Sequence, residues 1–473
     1  MPVHPLYIDG TWRTTASVRK VQNPYDDHVA GEVCQAGASD VEEAIAAATR
    51  AFKETRRLPS FQRAEILSGI SRRLSERRED FARVITEETG KPISLSRSEV
   101  DRSIFTFSIA SEEARRIEGT VLPLDLNVQS VGRFGLVRRF PLGPVGAITP
   151  FNFPLNLVSH KVAPAIAVGN PLVLKPSSSA PLTALLLAEI VDESSLPKGG
   201  FNVIPCLGNE AAQLYRDERI KLVTFTGSPA IGWPIKSQAG KKRVVLELGG
   251  NAGVIVESDA DLDLALTKIL AGAFANAGQS CISVQRIYVH ASISGAFLPK
   301  LVHGAKEISM GDPWKETTLV GPMITSQAAQ QVEEWIADAV SGGARILCGG
   351  KRKGAMFEPT ILTDVRPEMN VSCKEIFAPV VIVEEYETFE AALGRVNDSD
   401  FGLQAGVFTR DIRNVFKAYE ELEVGGVVIN DVPTYRIDHM PYGGMKDSGF
   451  GREGIRYAME EMTELKLLAV NPL

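Results

Sequence analysis

The sequence predicts an α/β protein built on two largely parallel sheets. Three observations carry this. From Gly143 onward, short apolar runs alternate with helical stretches. After Gly249 a second set of such runs repeats the pattern. The chain has 473 residues, 44% of them hydrophobic and 23% charged, which gives room for more than one core at roughly 150 residues per domain. Strands that are apolar throughout are expected where helices cover both faces of a sheet.

The elements follow in chain order. Residues 40–118 read as helices. Ser39 and Asp40 can cap a run with Val41, Ile45, Ala48 and Phe52 at helical spacing. A second helix is expected near Phe61–Leu74. A third is expected near Glu79–Thr89, stopped by Gly90-Lys91-Pro92. The Arg and Glu runs here read as solvated helix faces. Strands are expected at Val145–Ile148, Leu172–Leu174, Phe201–Ile204, Leu222–Phe225 and Val244–Leu246, with a helix at Leu182–Val191. The second set is Val254–Val256, Ile287–Val289, Val380–Val383 and Val427–Ile429, with a long helix between Asp259 and Gly278. The tail Leu465–Val470 reads as a strand without a hairpin partner, suited to pairing with another subunit.

Several classes are excluded. Fifty-one basic against 58 acidic side chains leave a net charge of −7, which argues against nucleic acid as a partner. The five cysteines, Cys34, Cys206, Cys281, Cys348 and Cys373, contain no CxxC, and the six histidines form no HExxH. No metal site or disulfide framework is therefore expected. The first ten residues lack the basic and apolar regions of a signal peptide. The uncharged stretch within Phe140–His160 carries four prolines, at 141, 144, 150 and 154, so no membrane helix is expected. A cytoplasmic protein is expected.

The residues that can carry chemistry sit where strands end. Cys281 lies past a long helix, in the bend Gly278-Gln279-Ser280-Cys281, which can present a thiol to a cleft. A small buried cysteine is the competing reading. Glu247 ends an apolar strand, where a raised pKa suits a general base; helix capping competes. Asn152, in Pro150-Phe151-Asn152-Phe153-Pro154, offers an amide donor for an oxyanion, against plain turn chemistry. Lys175 ends a strand and reads either as a donor to ribose hydroxyls or as a lysine snorkelling to the surface, and Thr226-Gly227-Ser228 opens a helix where backbone N–H groups bind phosphate. The single GxGxxG, Gly449 to Gly454, follows no apolar strand and is set aside as a dinucleotide fingerprint.

In the order Asn152, Lys175, Gly227-Ser228, Glu247, Cys281 and Lys374-Glu375-Ile376-Phe377, these motifs resemble the aldehyde dehydrogenase superfamily, from Tyr7-Ile8-Asp9-Gly10 to Tyr442-Gly443-Gly444. The resemblance implies Cys281 as nucleophile, Glu247 as the base for deacylation, and Asn152 with the Cys281 N–H as oxyanion hole. It implies NAD or NADP as cofactor. Lys175 and Glu375 would hold the riboses, Ser228 the pyrophosphate, and Phe377 the nicotinamide side. Ile148, Thr149, Pro150, Phe151, Ser177, Ser178, Gly227 and Leu248 would complete the cofactor cleft. Ser178 stands where NAD-preferring relatives often carry Glu, so NADP should be accepted.

The resemblance also implies two Rossmann-like parallel-sheet domains and a small β arm. Residues 1–117 and 141–248 would bind cofactor, 249–448 would be catalytic, and 118–140 with 449–473 would form the bridging arm of a homodimer or homotetramer. The expected reaction is oxidation of a small hydroxylated or anionic aldehyde to its acid, in the branch that includes lactaldehyde dehydrogenases. Substrate would meet Arg102 and Arg436, with His160 or His439 beside them. A competing reading pairs Arg102 with Glu99 or Asp101 and leaves Arg436 to brace its loop. The alternatives to hydrolytic oxidation are a CoA-acylating enzyme, disfavoured by Glu247, and a non-catalytic protein on the same fold.

Overall fold

The structure, a computed structural model, describes residues 3–472; Met1, Pro2 and Leu473 lie outside the described residues. An eight-stranded sheet has at its centre five parallel strands in the spatial order Arg243–Glu247, Leu222–Thr226, Val145–Ile148, Leu172–Lys175, Phe201–Val203. Their neighbours alternate faces. Val145, Ala147, Leu172 and Leu174 join a core under the helices Ser60–Glu76, Ile93–Ala114 and Asn156–Val168. Ile148, Val173, Val223 and Leu246 join the opposite core with Ile45 of the helix Ala38–Thr55. Two covered faces explain why apolar residues occupy both faces of these strands.

The strand order reverses between Val145–Ile148 and Leu222–Thr226. That switch point opens a crevice at the carboxyl ends of the strands, where ligands bind in open α/β sheets. Antiparallel strands close both edges: Leu6–Ile8 and Thr11–Arg13 at one, Gly449–Phe450 beside Glu247 at the other.

A seven-stranded sheet follows: Arg345–Cys348, Thr360–Thr363, Val380–Tyr386, Arg286–His290, Gly253–Val256, Gln404–Phe408 and Gly426–Ile429. All its pairings are parallel except at Arg345–Cys348. A three-stranded sheet of Thr120–Pro123, Phe134–Pro141 and Thr463–Val470 stands beside the two.

Three expectations are corrected. The first helix starts at Ala38, not after Asp40; the Asp40 carboxylate accepts the Gly37 N–H at 2.8 Å from inside the first turn. The helix expected up to Gly278 stops at Phe274 and gives way to a left-handed bend. The terminal strand does have a partner in its own chain: Thr463–Val470 pairs antiparallel with Phe134–Pro141 over its whole length. No pattern of sequence spacing announces a partner more than 300 residues away.

Candidate active site

Cys281 sits where two cavities meet. The first, of about 170 Å³, is lined by Lys91, Ser98, Arg102, Asn156, Thr434, Arg436 and Tyr442 among others. The second, of about 280 Å³, is lined by Pro150, Phe151, Thr226, Gly227, Ser228, Glu247, Leu248, Glu375 and Phe377. Cys281 and Asn152 border both.

The backbone builds this junction. After Phe274, Asn276 and Ala277 both take φ +54° and Gly278 φ +67°, so the chain coils left-handed just before the thiol. Only glycine fits the last position, because a Cβ there would lie 2.1 Å from the Ala378 carbonyl oxygen. Gly249 admits a second close approach: a Cβ would lie 2.3 Å from a carboxylate oxygen of Glu375.

Electrostatics separate the groups. Burial pushes the Cys281 thiol up to about 12, and its Sγ lies 3.0 Å from the Tyr442 hydroxyl. Both carboxylate oxygens of Glu247 are buried without a hydrogen-bond partner. Burial first, and the Glu453 charge second, hold this carboxyl well above the ordinary range. Asn152 Nδ2 donates to the Gln279 carbonyl at 3.1 Å, while its Oδ1 has no partner. That bond uses one of the two amide hydrogens and fixes the amide plane.

The cofactor candidates gather at the strand ends. Thr149 follows Ile148 and donates its N–H to the Lys175 carbonyl at 3.2 Å. Lys175 Nζ lies 3.4 Å from Ser178 Oγ, and burial lowers the lysine's pKa. Ser177 Oγ accepts the Ser179 N–H in a local turn. Ser228 stands at the first position before the helix Pro229–Gln238, its side chain making no capping bond, and that helix N-terminus favours an anion. Glu375 accepts the Gly250 N–H at 3.0 Å and is pushed up to about 7 by burial. Phe377, at φ +54°, meets Phe151 edge-to-face at 6.0 Å. The cleft fits a nicotinamide dinucleotide. It offers an anion-favouring helix start, an apolar wall, and buried Thr149 and Thr226 hydroxyls that find no partner within the protein.

The substrate candidates divide. Arg102 and Arg436 line the first cavity; His160 and His439 do not. His439 is exposed on its loop. His160 is buried behind the cavity, bonded through Nε2 to Asp438 at 2.8 Å, and burial lowers its pKa. Neither expected partner holds Arg102. It donates to Asp438 from Nη2 at 2.7 Å and Nε at 3.2 Å, whereas Asp101 pairs with Arg78 and Glu99 with Lys91. Arg436 donates to Glu453 at 3.2 Å and lies 3.6 Å over the Tyr442 ring. Glu453 also takes Lys161 at 3.1 Å and is held down to about 2, most strongly by the Lys161 charge against its burial.

Sequence reasoning missed Lys91, Asn156, Tyr442 and Glu453. Lys91 was legible only as a helix stop, and Glu453 sits inside the GxGxxG that was set aside.

A sequence model of the aldehyde dehydrogenase family matches residues 12–468. The chain belongs to the aldehyde dehydrogenase family. It is 46% identical to a 3-sulfolactaldehyde dehydrogenase of Priestia megaterium over 467 residues, covering 98% of each chain. It is 41% identical to a lactaldehyde dehydrogenase of Methanocaldococcus jannaschii, covering 98% of this chain and 100% of that one. Among solved structures, aldehyde dehydrogenase 21 of Physcomitrella patens in complex with the reaction product succinate superposes with a TM-score of 0.98 at 45% identity, covering 99% of this chain and 98% of that one. The M. jannaschii glyceraldehyde-3-phosphate dehydrogenase GapN complexed with NADP gives 0.93 at 40% identity, covering 96% and 100%. The protein is thus an aldehyde dehydrogenase that oxidises a small aldehyde to its acid with NAD or NADP.

Proposed function

We propose that this aldehyde dehydrogenase oxidises a small aldehyde bearing an anionic group beside a hydroxyl, and that Cys281, Glu247 and Asn152 carry the chemistry. The observation behind this reading is the position of Cys281 between the two cavities, with Arg102 and Arg436 in the first. A charged aldehyde entering there meets two guanidinium groups, and each charge-assisted contact is worth about 1.5–3 kcal/mol. Sulfonate or carboxylate both suit them. The name of the Priestia relative and the succinate bound to the Physcomitrella one support an anionic substrate.

The Cys281 thiolate attacks the carbonyl carbon, giving a tetrahedral alkoxide on a new C–S bond. Asn152 donates its second amide hydrogen to that oxygen, with the Cys281 N–H as the other donor. When bound, the nicotinamide supplies the acceptor for the hydride that leaves this carbon. A thioester on Cys281 remains. Glu247, unprotonated at this stage, takes a proton from water, which attacks the thioester; the acid leaves and the thiolate returns. A base at Glu247 favours water over a thiol acceptor such as CoA. Lys175 and Ser178 would hold the adenosine ribose with room for a 2′-phosphate, so NADP should serve, with or without NAD.

The two large sheets and the small one support domain limits near 1–117 with 141–248, 249–448, and 118–140 with 449–473, with two departures in the last. Gly449–Phe450 pairs with Arg243–Glu247 in the eight-stranded sheet, and the helix Ile455–Glu461 packs mainly on the helices Asn156–Val168 and Ile93–Ala114. We assign the strand Thr463–Val470 to contact with a second copy. Five unpaired cysteines, one of them needed as a free thiol, fit the reducing cytoplasm.

The test is a kinetic panel of neutral, hydroxylated, carboxylated and sulfonated small aldehydes with both cofactors. Arg102→Ala should lower kcat/KM about ten- to a hundredfold for the anionic members and little for propanal. Cys281→Ala should be inactive on all. Equal losses on charged and neutral aldehydes would overturn the anionic reading.

A further inference from the structure

We infer that Tyr442 is a further catalytic residue, its hydroxyl donating a hydrogen bond that stabilises the Cys281 thiolate. The inference rests on Cys281 being the nucleophile.

Among the described residues, the Tyr442 hydroxyl is the one side-chain polar atom within hydrogen-bond distance of Sγ, at 3.0 Å. The thiol has little other help. It is partly buried, and Glu247 and Glu375 both oppose its ionisation; beyond Tyr442 only the Arg436 charge favours it. Only the thiolate attacks, and a raised thiol holds little of it at neutral pH. The tyrosine is built to donate. Its own ionisation is pushed well above the ordinary value, first by burial and then by the Cys281 charge, so the hydroxyl keeps its proton. Arg436 lies 3.6 Å over the ring, drawing electron density from it, and Glu453 anchors that guanidinium. The backbone fixes the ring as well: Tyr442 exchanges both main-chain hydrogen bonds with Glu453, at 3.0 and 2.7 Å. No proton changes hands in this contact. Once the C–S bond forms the sulfur is uncharged, and the hydrogen bond weakens.

The experiment is the pH profile of iodoacetamide alkylation of Cys281, without aldehyde or cofactor. Label is read by peptide mapping, with Cys281→Ser for background. In Tyr442→Phe the thiol pKa should rise by about one unit. A more basic thiolate is also more nucleophilic, by about threefold per unit. The variant should therefore react about threefold more slowly throughout the pH range below both pKa values. A variant carrying 3-fluorotyrosine at position 442, a stronger donor of the same shape, should react faster than wild type over the same range. It decides the matter if Tyr442→Phe folds poorly. Superimposed profiles, or a 3-fluorotyrosine variant that reacts no faster than wild type, would overturn the proposal. Alkylation of Cys281 that leaves aldehyde oxidation intact would instead overturn Cys281 as nucleophile, whatever the profiles do.

Discussion

Glu247 ends the strand Arg243–Glu247 with both oxygens buried and unpartnered, which favours its neutral acid form. The sign of the pH dependence follows. A carboxyl held above its ordinary value by burial and by Glu453 is protonated below that raised value and becomes a base only above it. Turnover limited by deacylation should therefore rise with pH and level off above the ordinary carboxylate range. Glu247→Gln should keep a burst of reduced cofactor near one per active site, read in a stopped-flow trace, while steady turnover falls by about two or more orders of magnitude. Loss of the burst would place Glu247 in acylation too. Cys281, Glu247 and Asn152 were legible in the sequence because each sits in a short local pattern at the end of a strand or in a bend. The Lys161, Arg436 and Glu453 cluster was not. Its members come from a helix and two loops far apart in the chain, and a buried ion pair leaves no periodicity.

The bend before Cys281 shows the same limit for an element. Ala-rich Leu262–Phe274 reads onward as helix through Ala275, Asn276 and Ala277, none of which breaks a helix by propensity. Three successive residues at positive φ end it instead, held by the close passage of Ala378 over Gly278. Tertiary contact overrides local preference here, and the override aims the thiol. Gly278→Ala should accordingly cost far more activity than fold. A Cβ 2.1 Å from a carbonyl oxygen forces the bend to shift, and a displacement of about 1 Å at a nucleophile can cost about a hundredfold in kcat. Strain at such a position is of order 1–3 kcal/mol, a modest fall in Tm for a chain this size. Differential scanning calorimetry beside a turnover assay separates the two. A variant with full activity would show that the bend does not set the thiol.

At the scale of the whole molecule, the two parallel sheets were legible because strands apolar on both faces declare their cover; the arm was legible from its residues only as a strand without a mate, and as 118–140 with 449–473 only through the family resemblance. That mate, Phe134–Pro141, occupies one edge of Thr463–Val470, and among the described residues no strand occupies the other. The free edge is eight residues long and apolar on both faces: Leu465 is 59% exposed, Leu467 52% and Leu468 59%. Val121, Leu126, Val128 and Val131 are exposed on the same arm. A long exposed strand with leucines on both sides invites pairing unless a partner covers it. Self-association satisfies this in a defined way, because a closed assembly of identical chains leaves no edge to propagate. Burying three leucines is worth about 1.5–3 kcal/mol each, enough for their loss to shift a micromolar assembly to smaller species. The double variant Leu467→Glu with Leu468→Glu puts a charge on each face while leaving the backbone pairing to Phe134–Pro141 available. Sedimentation velocity should find the wild type as a dimer or tetramer and the variant at lower mass, with a normal far-ultraviolet dichroism spectrum. The residues that line the two cavities at Cys281 all lie outside the arm, so the smaller species should still alkylate at Cys281. A wild type that sediments as a monomer at micromolar concentration would remove the arm from any assembly role.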